Sequence, residues 1–216
     1  MEQSTTKNIE LINKALENIG ERPVTSINSS VARKAFQAVK DSITDIASVH
    51  DWEWTKDEIL AQSWVLDTAS LGNTQRVHTV TYGDTVNGFR ELSFIDPVSF
   101  TRLPQVSGEP RNYTYSTYNR VRVTPYPNTP EEQAKYRFFV TRELIPGNNP
   151  TDTIPVPERF ITLLLYRVCS YLSVSHLDDT NAAKNWAAQY GDLLTRLRSR
   201  ERGYSARQTN MFRLIR

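Results

Sequence analysis

The sequence predicts an α+β protein: a four-helix bundle formed by N- and C-terminal helical hairpins, with an inserted antiparallel β domain and a C-terminal basic arm. Two observations predict this fold. Apolar residues recur at helical spacing near both ends of the chain, whereas the middle alternates runs of valine, threonine, tyrosine and phenylalanine with turn residues. The predicted boundaries are 1–54 for the N-terminal hairpin, 55–145 for the β domain, 146–200 for the C-terminal hairpin and 201–216 for the arm.

The N-terminal hairpin is predicted from two amphipathic stripes. Between residues 9 and 19 apolar side chains recur at three- and four-residue steps, and Gly20 ends this first helix. Either Ser29 or Ser30 caps a second helix, because a serine hydroxyl accepts a hydrogen bond from an amide that the first helical turn leaves without a partner. The second stripe continues through Val49, and the short link makes the two helices antiparallel neighbours.

The β domain is predicted from runs of β-branched and aromatic residues. Asn87-Gly88 is the strongest turn signal among them, since this pair favours a tight hairpin. Prolines between the runs end strands or confine them to sheet edges. The predicted strands cover residues 58–66, 76–82, 89–94, 98–103, 112–115, 120–124 and 136–142.

The C-terminal hairpin is predicted to follow a proline-rich loop, with Pro157 at the first helical position. Its first helix covers residues 158–176, which carry an apolar stripe. Thr180 caps the last helix, whose inner face extends to Leu197. Both hairpins therefore supply helices to one core, although the β domain separates them along the chain.

Two tryptophans, Trp52 and Trp54, close the first helical hairpin just before the β domain begins. Large aromatic side chains bury much apolar area and anchor packed elements against each other. We therefore expect both at the junction between the bundle and the β domain, in preference to a ligand-binding role.

The composition argues against the common classes of enzyme. The single cysteine, Cys169, lies in an apolar helical stretch and is expected to be a buried hydrophobe, so neither a disulfide nor a cysteine-based zinc site can form within the chain. The three histidines lie far apart in sequence, and no nucleotide-binding glycine loop is present. The sequence therefore predicts no enzyme, no catalytic residue, no cofactor and no metal ligand.

Membrane association is not expected either. No apolar run approaches the roughly 18 residues of a membrane-spanning helix. The first residues lack the basic-then-apolar order of a secretory signal. A reducing compartment suits a chain with one cysteine.

Two alternative functions stay open. Acids of the β region keep open a carbohydrate- or cell-wall-binding tail component, or a hydrolytic one, because a glycosidase needs only two carboxyl groups brought together by the fold. Arginines at 196–202 and tyrosines of the β region keep open DNA binding, although tyrosines that alternate with polar residues are typical of half-buried strands. The acids are Glu53, Asp57, Glu91, Asp96, Glu131 and Glu132, and the tyrosines are Tyr113, Tyr115, Tyr118 and Tyr126.

The C-terminal arm is strongly basic. From residue 196 onward seven arginines stand against one glutamate, a net charge of +6, which leaves −4 on the first 195 residues. A mildly acidic body with a basic tail indicates that the tail has its own partner. The arm also ends in large apolar residues, as expected of a segment that docks. A frayed tail, or one that folds back on its own subunit, is the alternative.

The first fifty residues resemble a known family. The stretch 11–27, LINKALENIGERPVTSI, is similar to the opening of head-to-tail adaptor proteins of short-tailed phages, also called tail tubular protein A. In that family a helix ends in an Ile-Gly-x-x-Pro-Val link, here residues 19–24, and a second helix runs to an aromatic corner, here DWEW at 51–54. Later elements that also resemble the family are a hairpin near 100–103, the strand at 121–127 and the helix start at 154–160.

The resemblance implies a structural head-to-tail adaptor, or connector, of a phage virion. Twelve copies would form a ring at the head–tail junction, under the portal protein, and would offer a platform to the tail nozzle protein and to tail fibres. Genomic DNA would pass through the lumen without sequence-specific binding, which a mildly acidic body favours because cations there would hold phosphates. The chain would fold in the host cytoplasm before assembly.

The resemblance also implies that the arm reaches the portal. Its arginines would pair with acidic groups of the portal, and its apolar side chains would fill pockets there. The predicted portal-docking residues are Arg202, Tyr204, Arg207, Met211, Phe212, Arg213, Leu214, Ile215 and Arg216.

Overall fold

The computed structural model describes residues 4–117 and 119–213, with side chains through residue 201. Over this part of the chain there are six α-helices and nine β-strands. The helices are α1 (Asn8–Asn18), α2 (Ser30–Val49), α3 (Pro97–Thr101), α4 (Pro130–Gln133), α5 (Ile161–Ser175) and α6 (Thr180–Arg213). The strands are β1 (Lys56–Ile59), β2 (Ser63–Val65), β3 (Thr68–Ser70), β4 (Thr74–Asp84), β5 (Gly88–Glu91), β6 (Ser93–Phe94), β7 (Asn112–Thr117), β8 (Arg120–Thr124) and β9 (Tyr136–Arg142).

The chain divides into two compact units. The helical unit comprises the chain up to Trp54 together with the chain from Leu144 onward, and the β unit comprises Thr55–Glu143. Two short 3-10 turns, Glu53–Thr55 and Glu158–Phe160, precede β1 and α5.

The helical unit is organised around one apolar core. Helix α2 packs against α1 and α5, while α5 packs against α6. The amphipathic stripes predicted from the sequence face this core, and each large apolar side chain buried there contributes roughly 1.5–3 kcal/mol. Core residues with almost no exposed surface include Leu11, Leu16, Val39, Ile43, Leu164, Val168 and Leu172.

Polar groups fix the ends of the first two helices. The Ser29 hydroxyl accepts a hydrogen bond from the Ala32 amide at 3.1 Å, so Ser29 is the cap of α2 and Ser30 its first residue. Gly20 follows α1 with φ at +83°, a left-handed conformation that favours glycine after a helix end. The sequence-based prediction of this stop is confirmed.

The β unit contains two sheets. One has the order β1-β9-β4-β5 and the other β2-β3-β8-β7-β6. The hairpin predicted here is confirmed, since β4 and β5 pair antiparallel, but its turn residues are 85–87, and Gly88 is the first residue of β5, opposite Asp84. Along β9, buried and more exposed residues alternate, which places one face of the strand in the core. The core shared by the sheets comprises Ala69, Leu71, Val77, Val80, Leu92, Tyr113, Val121, Val123, Tyr136, Phe138 and Val140.

A tyrosine hydroxyl links the two sheets. Tyr115 on β7 donates a hydrogen bond to the Val77 carbonyl on β4 at 2.7 Å. By contrast, the buried Tyr136 hydroxyl has no hydrogen-bond partner among the described residues. These two hydroxyls therefore contribute with opposite signs to the stability of the β unit.

The α+β class is confirmed, but the predicted four-helix bundle with an antiparallel insertion is wrong. The described chain has six helices and two sheets of four and five strands. Two of the helices, α3 and α4, lie within the β unit, and β6 pairs with β7 in parallel. The pattern of long amphipathic stretches revealed four helices, and helices of four or five residues are too short to produce such a pattern.

Local hydrogen bonds explain the misassigned segments. Residues 98–103, predicted as a strand, include most of α3, because the Asp96 carboxylate caps the Ser99 amide at 2.9 Å and Pro97 occupies the first turn. Residues 58–66 and 89–94 each divide between strands of different sheets. At the C-terminus the backbone of α6 stays helical through Arg213, so the basic arm is not a separate element up to that residue. Gly203 does not end the helix, since glycine costs only about 1 kcal/mol relative to alanine there.

Replacing Tyr115 by phenylalanine should lower the free energy of unfolding by about 1 kcal/mol, because the Val77 carbonyl loses its hydroxyl donor. Tyr136→Phe is the matched control, and it should be neutral or slightly stabilising. Urea denaturation of the two variants measures both effects. Equal losses in the two variants would contradict the assigned sheet-to-sheet hydrogen bond.

Candidate functional site at the root of the C-terminal arm

Trp52 completes the C-terminal end of α2. The last carbonyls of a helix have no partner within it, and the Trp52 indole Nε1 donates to one of them, the Ile46 oxygen, at 2.8 Å. The ring itself is fully buried. Trp52 therefore serves both as a helix cap and as a core residue.

Three aromatic rings join the two halves of the helical unit. Phe160, at the start of α5, meets Trp52 edge-on at 5.0 Å between ring centroids and Trp54 at 5.2 Å. Trp52 and Trp54 stack at 6.5 Å. Aromatic pairs of this kind contribute roughly 0.5–1.5 kcal/mol each beyond their buried area. These contacts, between residues about one hundred positions apart, join the N-terminal and C-terminal parts of the helical unit.

Trp52 belongs to the core of the helical unit and Trp54 packs against this core, immediately before the chain enters the β unit. Their role as anchors between bundle and β domain stays a prediction. The Trp54 indole Nε1 is buried and has no hydrogen-bond acceptor among the described residues.

Glu201 lies where the C-terminal arm begins. Its side chain is only 8% exposed, and one carboxylate oxygen accepts a hydrogen bond from the Arg159 guanidinium at 2.5 Å. The other oxygen accepts from the backbone amide of Glu53 at 3.2 Å. A buried carboxylate is tolerated when it is paired and hydrogen-bonded in this way.

Arg198 makes a second tie one helical turn earlier. Its guanidinium donates to the carbonyl of Val49, the last residue of α2. Arg198 and Glu201 are three residues apart and therefore lie on the same face of α6. Helix α6 thus supplies hydrogen-bonding groups to both the end of α2 and the turn that follows it.

A charged cluster connects three helices of the same unit. Asp45 of α2 accepts from two nitrogens of Arg167 on α5, at 3.0 and 2.6 Å, and from the Tyr171 hydroxyl at 2.6 Å. The Arg167 guanidinium lies over the rings of Tyr171 and Tyr190, with centroid distances of 4.7 and 5.2 Å. Burial raises the pKa of Asp45, but the hydrogen bonds from Tyr171 and Arg167 outweigh it, and the net shift is below the usual value.

Cys169 is a core residue. Its thiol is buried, and burial raises its pKa to about 11 despite a contact with Asn18. Since the thiolate is the nucleophile, a thiol with such a pKa is inert near neutral pH.

The tyrosines considered for base stacking serve the β unit instead. Tyr113 is buried, Tyr115 bonds to Val77, and Tyr126 packs against the core. Tyr118 lies outside the described residues. These rings therefore contribute to the packing of the β unit.

The acids considered for catalysis take part in local structure. Asp96 caps α3, and Asp57 pairs with Arg142 at 3.0 Å. Glu53, Glu131 and Glu132 lie in first turns of short helices, and Glu91 is exposed on β5. Within the part of the chain that the structure describes, no group of three or more histidine, cysteine or acidic residues is placed to hold a metal ion.

The predicted portal-docking residues fall at the end of α6 and beyond it. The side chains of Arg202, Tyr204, Arg207, Met211, Phe212 and Arg213 lie outside the described side chains, and Leu214, Ile215 and Arg216 lie outside the described residues altogether. The sequence reasoning missed Glu201 and Arg159. The single glutamate among seven arginines distinguishes Glu201 in the sequence, but nothing in the pattern indicates its partners.

The charged and aromatic groups described above hold helix ends together. A family model described as SU10 adaptor protein matches residues 9–211. The chain therefore belongs to the SU10 adaptor protein family, and the resemblance to phage head-to-tail adaptors is confirmed. No curated protein sequence gives a significant match.

Family membership gives the protein a structural role as a phage adaptor and makes it a virion component of the head–tail region. Across residues 4–117 and 119–213, every helix is too short or too polar to cross a lipid bilayer.

Replacing Asp45 by asparagine should lower the free energy of unfolding at pH 7 by roughly 1–2 kcal/mol, at the low end for charged hydrogen bonds because the carboxylate is partly exposed. A carboxylate whose folded pKa is depressed stabilises the fold above its unfolded pKa of about 4, and this contribution is lost as pH falls through the folded value. The difference from wild type should therefore shrink in urea denaturation at pH 3.

Asp41→Asn, at an exposed position of the same helix, is the control and should change stability by less than about 0.5 kcal/mol at either pH. An Asp45→Asn loss of equal size at pH 7 and pH 3 would show that the charge is not what the cluster uses.

Proposed function

We propose that this protein is a head-to-tail connector that forms a ring between the portal and the tail nozzle and extends the DNA ejection channel. The ring contains twelve copies, one for each subunit of a twelvefold portal. The opposite side of the ring receives the nozzle and offers attachment to tail fibres. Heterologous contacts between identical copies close such a ring, so that each subunit presents two different surfaces to its neighbours.

The continuation of α6 beyond Glu201 carries the docking part of this proposal. Twelve helical residues follow Glu201, a length of about 18 Å at 1.5 Å per residue. This segment is basic and ends in apolar residues. A helix that ends in such a sequence is suited to bind another protein.

The chemistry of the arm suits an acidic, pocketed surface on the portal. Arg207, Arg213 and Arg216 offer planar guanidinium groups that pair with carboxylates in two-pronged geometry. Phe212 and its apolar neighbours supply the anchors that dominate binding energy at protein interfaces. The expected order along the arm is a charged approach followed by an apolar contact.

The acidic body fits the passage of DNA. The net charge of −4 on the first 195 residues leaves phosphates without a basic wall to bind. Genomic DNA therefore passes through the proposed lumen without sequence-specific contacts. The proposed role needs no catalytic centre and no cofactor.

Truncation after Glu201 should abolish association with the portal. Light scattering of the full chain mixed with purified portal should show a complex of fixed stoichiometry, whereas the 1–201 chain should stay separate because it lacks every docking residue. The truncated chain keeps Glu201 and its two partners, so its own fold should persist. Association of the truncated chain with the same stoichiometry would overturn the docking role of the arm.

Reversing charge in the arm should weaken the same complex. Arg207→Glu together with Arg213→Glu should reduce portal affinity at least tenfold, because each change replaces a proposed attraction by repulsion. Arg33→Glu together with Arg22→Glu changes the same charge at exposed positions of the helical unit and should leave affinity within about twofold. Equal effects of the two pairs, measured by titration at fixed salt, would mean that only net charge matters.

A further inference from the structure

Glu201 connects two parts of the chain that the adaptor role does not by itself relate. One is the arm, which begins at this residue. The other is the connecting segment, residues 50–55, which leads along the chain from α2 to β1. The buried carboxylate of Glu201 accepts the backbone amide of Glu53, the first residue of the 3-10 turn in this segment.

The burial of the Glu201 carboxylate distinguishes this contact from an ion pair on the surface. Helix α6 contains two acidic residues, of which Asp192 is exposed and Glu201 is buried. Removing a carboxylate from water is costly unless both oxygens find donors. In Glu201 the two oxygens have separate donors, the Glu53 amide and the Arg159 guanidinium.

One helical turn earlier in α6, a second side chain bonds to the backbone next to the connecting segment. Arg198 donates to the Val49 carbonyl, which immediately precedes the connecting segment. The backbone between Val49 and Glu53 is therefore held at both ends by side chains of one helical turn of α6. The Trp52 ring, between these two points, is packed on Phe160 next to Arg159.

We propose that Glu201 acts as a strap: its carboxylate holds the start of the arm to the connecting segment. Binding of the portal to the arm then changes the stability of the backbone hydrogen bonds in that segment. Helix α6 is continuous from Thr180 to Arg213. A continuous helix transmits displacement or ordering along its axis, so any force on the arm acts on Glu201 within the same element. This second step rests on the proposed docking of the arm to the portal.

Hydrogen exchange of the isolated full chain tests the strap itself. In Glu201→Ala, the amides of residues 53–55 should exchange about tenfold faster than in wild type, because the charge-assisted hydrogen bond to Glu53 is lost. Glu17→Ala removes a carboxylate from an exposed position of the same unit and should leave this segment unchanged. Equal exchange in wild type and Glu201→Ala would overturn the proposal.

A variant that only loosens the whole fold is recognised by faster exchange across the α5 core. In that case Glu201→Gln is measured in place of Glu201→Ala. The glutamine side chain keeps an oxygen that can accept the hydrogen bond from the Glu53 amide, but it has no negative charge to pair with Arg159. Its segment 53–55 should exchange faster than wild type and slower than any variant without an acceptor. Exchange unchanged from wild type would again overturn the strap.

Addition of purified portal protein tests the coupling. Wild-type segment 53–55 should exchange at least threefold more slowly in the complex, and Glu201→Ala should bind through its intact arm without this slowing. Binding of wild type with no change at 53–55 would overturn the coupling and leave the adaptor function standing. Absence of any portal binding would overturn the proposed docking of the arm to the portal, and the comparison of the isolated chains would still test the strap.

Discussion

The fold depends on a contact between two parts of the chain that are about one hundred residues apart. Trp52 and Trp54, before the β unit, pack on Phe160, after it. A contact of this sequence separation carries a large loop-closure cost, and the β unit folded between its ends reduces the disorder that closure must overcome. Once the contact is made, α1 and α2 can share one apolar core with α5 and α6.

Charged side chains add specific contacts between helices that already share an apolar core. Asp45, Arg167 and Tyr171 hold α2 against α5. Further along α6, Glu201 pairs with Arg159. Partly buried pairs of this kind are costly to break, because the remaining partner is left uncompensated. They stabilise the helical unit at the point where the arm begins.

Helices and strands were predicted best where a periodic apolar pattern extends over many residues. The bounds of α1 and α2 and the strands at 120–124 and 136–142 agree with prediction, since stripes and β-branched runs report which face is buried. Prediction failed at α3, where the Asp96 cap outweighs a strand-like composition, and at 58–66 and 89–94, where one apolar run serves two sheets. The role of Glu201 could not be predicted, because its partners Glu53 and Arg159 are 148 and 42 residues away in sequence.

Crosslinking at one residue tests directly whether the arm contacts the portal in the virion. A photoreactive benzoylphenylalanine in place of Phe212 would be incorporated into the protein during phage assembly, and irradiated virions would be analysed by mass spectrometry. We expect a crosslink between position 212 and the portal protein. Crosslinks confined to the adaptor itself, or to tail proteins, would contradict it.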